Sequence, residues 1–275
     1  MSSRKNFAQG RFYPDDPQEI EKIFEDAVRN EKIDDLDGVK EIIGGVAPHA
    51  GYVYCARVGV HLFEAIRRGG EKYDTVILLN PNHTGYGEGI EGDENEFWET
   101  PLGEVETDRE LLERIGIKKG VMGQKFEHSG EVLLPYLQHF IAGKFRLLPI
   151  CVRDYRYNTA KKLAKDIYDA VKESGKRVLI IASSDFTHFK TREHGAELDN
   201  YALEAIMKLD SKEFYSRIVE RDISICGLGP IMVLMEYMKL ISKGAEMRIL
   251  AKGDSGEVTG DSEVVDYVSL VGIDS

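Results

Sequence analysis

The chain has 275 residues, 42% of them hydrophobic, and a formal net charge of −12. That length and apolar content suit one large domain with a sizeable core, spanning residues 1–275. The acidic balance argues against a nucleic-acid backbone or an anionic membrane surface as a partner. Three widely spaced cysteines, Cys55, Cys151 and Cys226, with no CxxC pair, argue against a disulfide framework or zinc ribbon. The opening MSSRKNFAQGRFYPDDP lacks the apolar stretch of a signal peptide, and no run approaches a membrane span. A cytoplasmic protein is expected.

In chain order, Pro17 to Asn30 carries Ile20, Ile23, Phe24 and Ala27 on one helical face. Asp34 to Gly38 reads as a turn. EIIGGVAP reads as a buried strand ended by proline, and Tyr54 to Arg68 as a helix stopped at Gly69-Gly70. Thr75 to Leu79 is a β-branched apolar run without alternation, as in a strand covered on both faces. Gly85 to Thr100, glycine-rich and acidic, reads as a surface loop. Thr107 to Glu110 has capping-box form and opens a helix through Ile115.

His128 to Phe140 is a further helix candidate, and FRLLPICV another buried strand. Ala160, Leu163, Ala164, Ile167 and Val171 make a helical stripe. KRVLIIASSDFTH repeats the pattern of strand, small polar residues and histidine. Glu193 to Leu209 and Ser211 to Arg221 read as helices. ISICGLGP is a tight turn before a helix from Ile231 to Leu240, and MRILAKGD and VVDYVSLVGI are strands. Alternating strands and helices predict a three-layer α/β/α sandwich with a mostly buried mixed sheet.

Three strand-like runs end alike. IIGGVAP delivers His49, VILLNPN delivers His83, and VLIIASS delivers Asp185 and then His188. Carboxyl ends of parallel strands face one crevice, so distant side chains can converge there. Two imidazoles and a carboxylate among small residues are ligand types for Fe(II), Zn(II) or Mn(II). The competing reading makes each histidine a loop residue bonded to backbone. Cys226 sits uncrowded beside Gly227 and Gly229, or is simply a buried inert thiol. Cys55 and Cys151 read as core. Ser129 reads as a helix cap, with His128 either incidental or orienting a ligand. His61, His139 and His194 read as structural or solvated.

The stretches GRFYP, APHAGYVYCA, LLNPNHTGYG, EHSGEVLLPYL, SSDFTHF and SICGLGP together resemble the Memo family over nearly the whole chain. The resemblance implies a fold similar to class III extradiol non-haem iron dioxygenases. It implies metal ligation by His49, His83 and Cys226, with iron or copper bound and Asp185 and His188 lining the same pocket. Those dioxygenases use two histidines and a glutamate; a cysteine in the third place argues against ring cleavage. The resemblance further implies a radical-SAM system beside microbial relatives and a peptide-holding cleft in animal ones.

Three functions follow. The first is a metal-dependent redox protein with Asp185 and His188 as acid–base groups. The second is a binding module holding a peptide or protein, with Tyr52, Tyr54, Tyr86 and Trp98 as aromatic walls; the alternative for these aromatics is core or loop packing, the favoured reading for Trp98. The third is a zinc hydrolase with Asp185 or Glu131 as general base.

Overall fold

The computed structural model describes residues 2–33, 36 and 38–274. A two-residue strand, β1 (Ser3–Arg4), precedes the amphipathic helix α1 (Pro17–Asn30). The Asp16 side chain caps α1 by accepting from the Gln18 N–H, and Pro17 occupies the first turn, where its missing N–H costs nothing. The buried strand β2 (Glu41–Ala47) leads to helix α2 (Tyr52–Gly69), which ends on a left-handed Gly70.

Strand β3 (Thr75–Pro81) follows, then the short strands β4 (Ile90–Asp93), β5 (Phe97–Thr100) and β6 (Gly103–Glu106). Helix α3 (Arg109–Ile115), strand β7 (Lys118–Gly120), a 3-10 turn at Glu131–Leu133 and helix α4 (Leu134–Phe140) come next. The second half runs β8 (Arg146–Val152), α5 (Tyr157–Ser174), β9 (Val178–Ser183), β10 (His188–Thr191), α6 (Arg192–Met207) and α7 (Ser211–Arg221). It closes with α8 (Leu228–Ile241), β11 (Ala245–Asp254), α9 (Gly256–Thr259) and β12 (Glu263–Asp274).

The large sheet has the order β10-β12-β2-β9-β3-β8-β4-β7, with β11 also paired to β12. Strands β2, β9, β3 and β8 are parallel, while β12 and β4 run antiparallel to their inner neighbours. Successive side chains on a strand point to opposite faces, and the sheet buries both. Ile77, Leu79, Ile180 and Ala182 pack with α3, α5, α6, α7 and α8. Val76, Leu78, Leu179 and Ile181 pack with α1, α2 and α4. The result is the α/β/α sandwich the sequence predicts. Gly45 is needed for close approach: a Cβ there would stand 2.4 Å from Leu62 Cδ1, so α2 seats directly on β2.

Three local readings change. Gly85 to Thr100 is not one loop, because β4 joins the large sheet beside β8 and β5 pairs with β1 and β6. Trp98 on β5 is fully buried, donates Nε1–H to Asp93 Oδ2 at 2.7 Å and lies under the Arg4 guanidinium. Asp108, not Thr107, caps α3; Thr107 Oγ1 donates instead to the Asn95 carbonyl. The helix expected from His128 begins only at the 3-10 turn, because Ser129 is drawn to Glu127 rather than to a helix end. Of the expected turn at Asp34 to Gly38, residues 34, 35 and 37 lie outside the described residues. No helix among the described residues is long and apolar enough to cross a membrane.

Candidate metal centre

The parallel strands deliver their ends to one cleft. His49 follows β2, His83 follows β3, and Asp185 follows β9, while His188 opens β10. Cys226 arrives from the other side, on the connection between α7 and α8. Gly227 makes that approach possible, since a Cβ there would stand 2.3 Å from Ser184 Cβ. Its N–H donates to Ser184 Oγ at 3.0 Å and fixes the connection against the end of β9.

Ligand atoms of His49, His83 and Cys226 all lie within 4.8 Å of one another. His49 Nε2 is 3.3 Å from Cys226 Sγ. Ligands at first-row metal distances in a tetrahedral site stand about 3.5 Å apart, so this spacing fits an ion with little movement.

The hydrogen bonds settle which nitrogens face the cleft. Ser183 Oγ donates its one proton to the Ser129 carbonyl at 2.7 Å. It therefore accepts from His49 Nδ1–H, also at 2.7 Å, and leaves Nε2 as a lone pair toward Cys226. His83 Nδ1–H donates to Glu127 Oε1 at 2.9 Å, which frees its Nε2 in the same way. His188 Nδ1–H donates to the Ser224 carbonyl at 2.8 Å. Each imidazole is thus held by Nδ1 and presents Nε2, the arrangement that orients metal-ligating histidines. The donor set fits iron or copper: two neutral imidazole nitrogens and one sulfur.

The electrostatics match that set at His49, while at His83 and Cys226 they favour the proton that an ion would displace. Burial, then the neighbouring imidazoles of His83 and His128, holds His49 well below the ordinary histidine range, so it is neutral. Burial pulls His83 down, but its bond to Glu127 and that carboxylate's charge outweigh the effect and raise it. Burial pushes Glu127 up, yet the His83 bond and charge win and hold it at about 2. Burial raises the Cys226 thiol, with the Asp185 charge adding to it. Without a metal the sulfur therefore keeps its proton, and an ion would displace that proton. Asp185 is pushed up to about 6, chiefly by burial and against the hydrogen bond it accepts from His49 N–H.

Two more groups line the cleft. The His128 ring is 5.5 Å from His49 and 5.0 Å from His83, centroid to centroid, and stacks on Phe12. Burial brings it down to about 4. Ligand atoms of His83, Glu127 and His128 also cluster, but the Glu127 oxygens are spent on His83 N–H, His83 Nδ1–H, Ser129 N–H and Ser129 Oγ–H. Glu127 positions His83. Its place beside His128 in EHSGE was the one available signal, and nothing in the sequence linked it to a histidine 44 positions away.

Other sequence candidates fall elsewhere. Glu131 is fully buried and accepts from Arg4, Tyr13 and the N–H groups of Phe7 and Ala8, so it cannot serve as a general base in the cleft. Tyr52 is buried and donates to the Val132 carbonyl, so neither it nor Trp98 forms a wall of the cleft. Tyr54 and Tyr86 are exposed. Cys55 and Cys151 are buried, as read from the sequence.

Fold and cleft together define a class: three-layer α/β proteins with an imidazole and thiol cluster beyond the carboxyl ends of their parallel strands. Within it, the chain belongs to the Memo-like family, whose model, described as "Memo-like protein", matches residues 4–271. A MEMO1 family protein of Methanococcoides burtonii is 38% identical over 276 residues, covering 98% of this chain and 99% of that protein. One from Methanosarcina acetivorans is 37% identical over 275 residues, with coverages of 98% and 99%.

Proposed function

We propose that this Memo-like chain is a metal-dependent redox protein that holds iron or copper on His49, His83 and Cys226. The observation that carries the reading is the free Nε2 of both imidazoles beside Cys226 Sγ, each ring fixed from behind by a dedicated acceptor. Iron or copper would supply one-electron chemistry that no side chain in the cleft provides. A soft sulfur donor suits those metals better than a hard, all-oxygen site would.

The chain's own groups supply the rest. Asp185 Oδ2 lies 4.0 Å from His49 Nε2, and its raised carboxyl can take up or release a proton near neutral pH. His188 keeps Nδ1 on Ser224 and offers Nε2 for proton exchange. Metal analysis of the full chain after aerobic and anaerobic purification tests the reading. Stoichiometric iron or copper is expected in the wild type and none in a His49→Ala, His83→Ala double variant. Unchanged metal content in that variant contradicts it.

A second reading keeps the cleft and uses it to hold a peptide or protein partner, with a radical-SAM protein among the candidates. Exposed aromatics on the segments that carry the site favour it: Tyr86 after His83, and Phe189, 72% exposed, after His188. Capture of a partner that is indifferent to metal chelation supports this reading over the first. Zinc hydrolysis ranks below both, with Asp185 the remaining base.

A further inference from the structure

A cavity of about 510 Å³ lies between the His83 loop and the connection from α7 to α8. Its volume falls in the usual range for small-molecule sites, about 300–1,000 Å³. Each wall carries one candidate ligand, His83 on one side and Cys226 on the other. Beside them the lining is apolar: Val152, Ile223, Ile225 and Leu228.

Most polar groups in the lining are already committed. The Asn82 amide donates to the Tyr86 carbonyl and accepts from the Thr84 and Gly85 N–H groups. Ser224 holds His188 through its hydroxyl and its carbonyl. Two charges remain, Arg153 and Asp222. Asp222 has a local purpose, because it ends α7 in a left-handed turn at φ 49°, a conformation aspartate tolerates better than most residues. Arg153 has no such account. It donates one Nη1–H to the Gly85 carbonyl at 2.6 Å and forms no ion pair among the described residues. Arg153 is exposed, and among the described residues its other guanidinium donors have no protein partner at the cavity wall.

We propose that this cavity is the substrate pocket of the candidate metal centre, and that it takes a small carboxylic acid with an apolar body about the size of one ring. The carboxylate would pair with Arg153, and the body would lie on Val152, Ile223 and Leu228. The opposite end would face His83 and Cys226. The substrate assignment rests on the metal reading above; the carboxylate pocket itself does not.

Calorimetric titration of the full chain, metal-free and loaded with iron(II) under argon, with phenylacetate, 2-phenylethanol and 2-phenylethylamine tests the proposal. Saturable binding of phenylacetate is expected, with the alcohol and the amine weaker by about tenfold or more, as loss of a charge-assisted pair implies. Arg153→Gln should weaken phenylacetate about tenfold and leave the alcohol unchanged, while Arg153→Lys should restore part of the loss. Equal affinities for the three probes, no binding of phenylacetate, or an Arg153→Gln variant that binds it as the wild type does, overturns the proposal. Phenylacetate binding that depends on Arg153 in a chain unable to retain metal would leave the pocket standing and remove the metal reading.

Discussion

His49 Nε2 and Cys226 Sγ lie 3.3 Å apart although 177 positions separate them in the chain. The contact joins the carboxyl end of β2 to the connection before α8, and it exists because Ser183 holds His49 by its other nitrogen. The chemistry of the cleft depends on such second partners as much as on the ligands.

Glu127 should behave as a positioning residue for His83. In Glu127→Gln the amide replaces a carboxylate that takes hydrogen bonds from His83 and Ser129. Metal affinity is expected to fall about 10- to 100-fold, the usual cost of losing such a partner. Stability should fall by about 1–3 kcal/mol, because buried bonds to a charge are replaced by weaker ones. Competition titration against a chelator and urea denaturation measure the two effects. Unchanged affinity would make Glu127 a purely structural residue.

Ser183→Ala should release the His49 ring. Its Nδ1–H loses the acceptor that now fixes the tautomer, and the Ser129 carbonyl loses its donor. Nitrogen NMR of labelled histidine should show His49 as one Nδ1–H tautomer in the wild type and a mixture in the variant. Metal binding should weaken by about tenfold. A single retained tautomer would show that Ser183 is not what sets it.

The buried Trp98 offers a test of the revised reading of Gly85 to Thr100. Trp98→Ala removes a fully buried ring and strands the Asp93 carboxylate it bonds. A loss of about 3–5 kcal/mol is expected in urea unfolding, as for other large core truncations. A loss below about 1 kcal/mol would return the segment to the status of a surface loop.

Asp266 predicts how stability changes with pH. Burial, and then the charge of Asp199, pushes it up to about 8. Asp254, Arg192 and Lys252 stand nearby, with Arg192 paired to Asp254. An unfolded aspartate titrates at about 3.9, so between about pH 4 and pH 8 the native state keeps a proton the unfolded chain has lost. The stabilisation is complete below that window and fades as pH rises through it. Asp266→Asn should flatten the slope and stabilise the chain by about 1–2 kcal/mol at pH 9, discounted for the solvent that reaches this pair. Identical slopes for wild type and variant would contradict the assignment.

The ends of the parallel strands were legible in the sequence because Pro48, Pro81 and the serines after Ala182 break the apolar runs just where histidine or aspartate follows. The buried runs also carried the layer architecture, since Ile77 and Leu78 both had to be covered. The partners of those histidines were not legible. Ser183 looks like any polar residue at a strand end, and only the fold brings it to His49 Nδ1. Short strands escaped for a related reason. The glycines and acids around Trp98 read as solvent-facing until the strand at Ser3–Arg4 covers it.

The central claim is a metal held by two imidazoles and one thiolate. X-ray absorption at the metal edge of the full chain, loaded with iron(II) or copper(I), measures it most directly. One sulfur at about 2.3 Å with nitrogens at about 2.0–2.1 Å is expected, and the sulfur should vanish in Cys226→Ser. A shell of oxygen and nitrogen alone in the wild type, or a sulfur that survives the substitution, would contradict it.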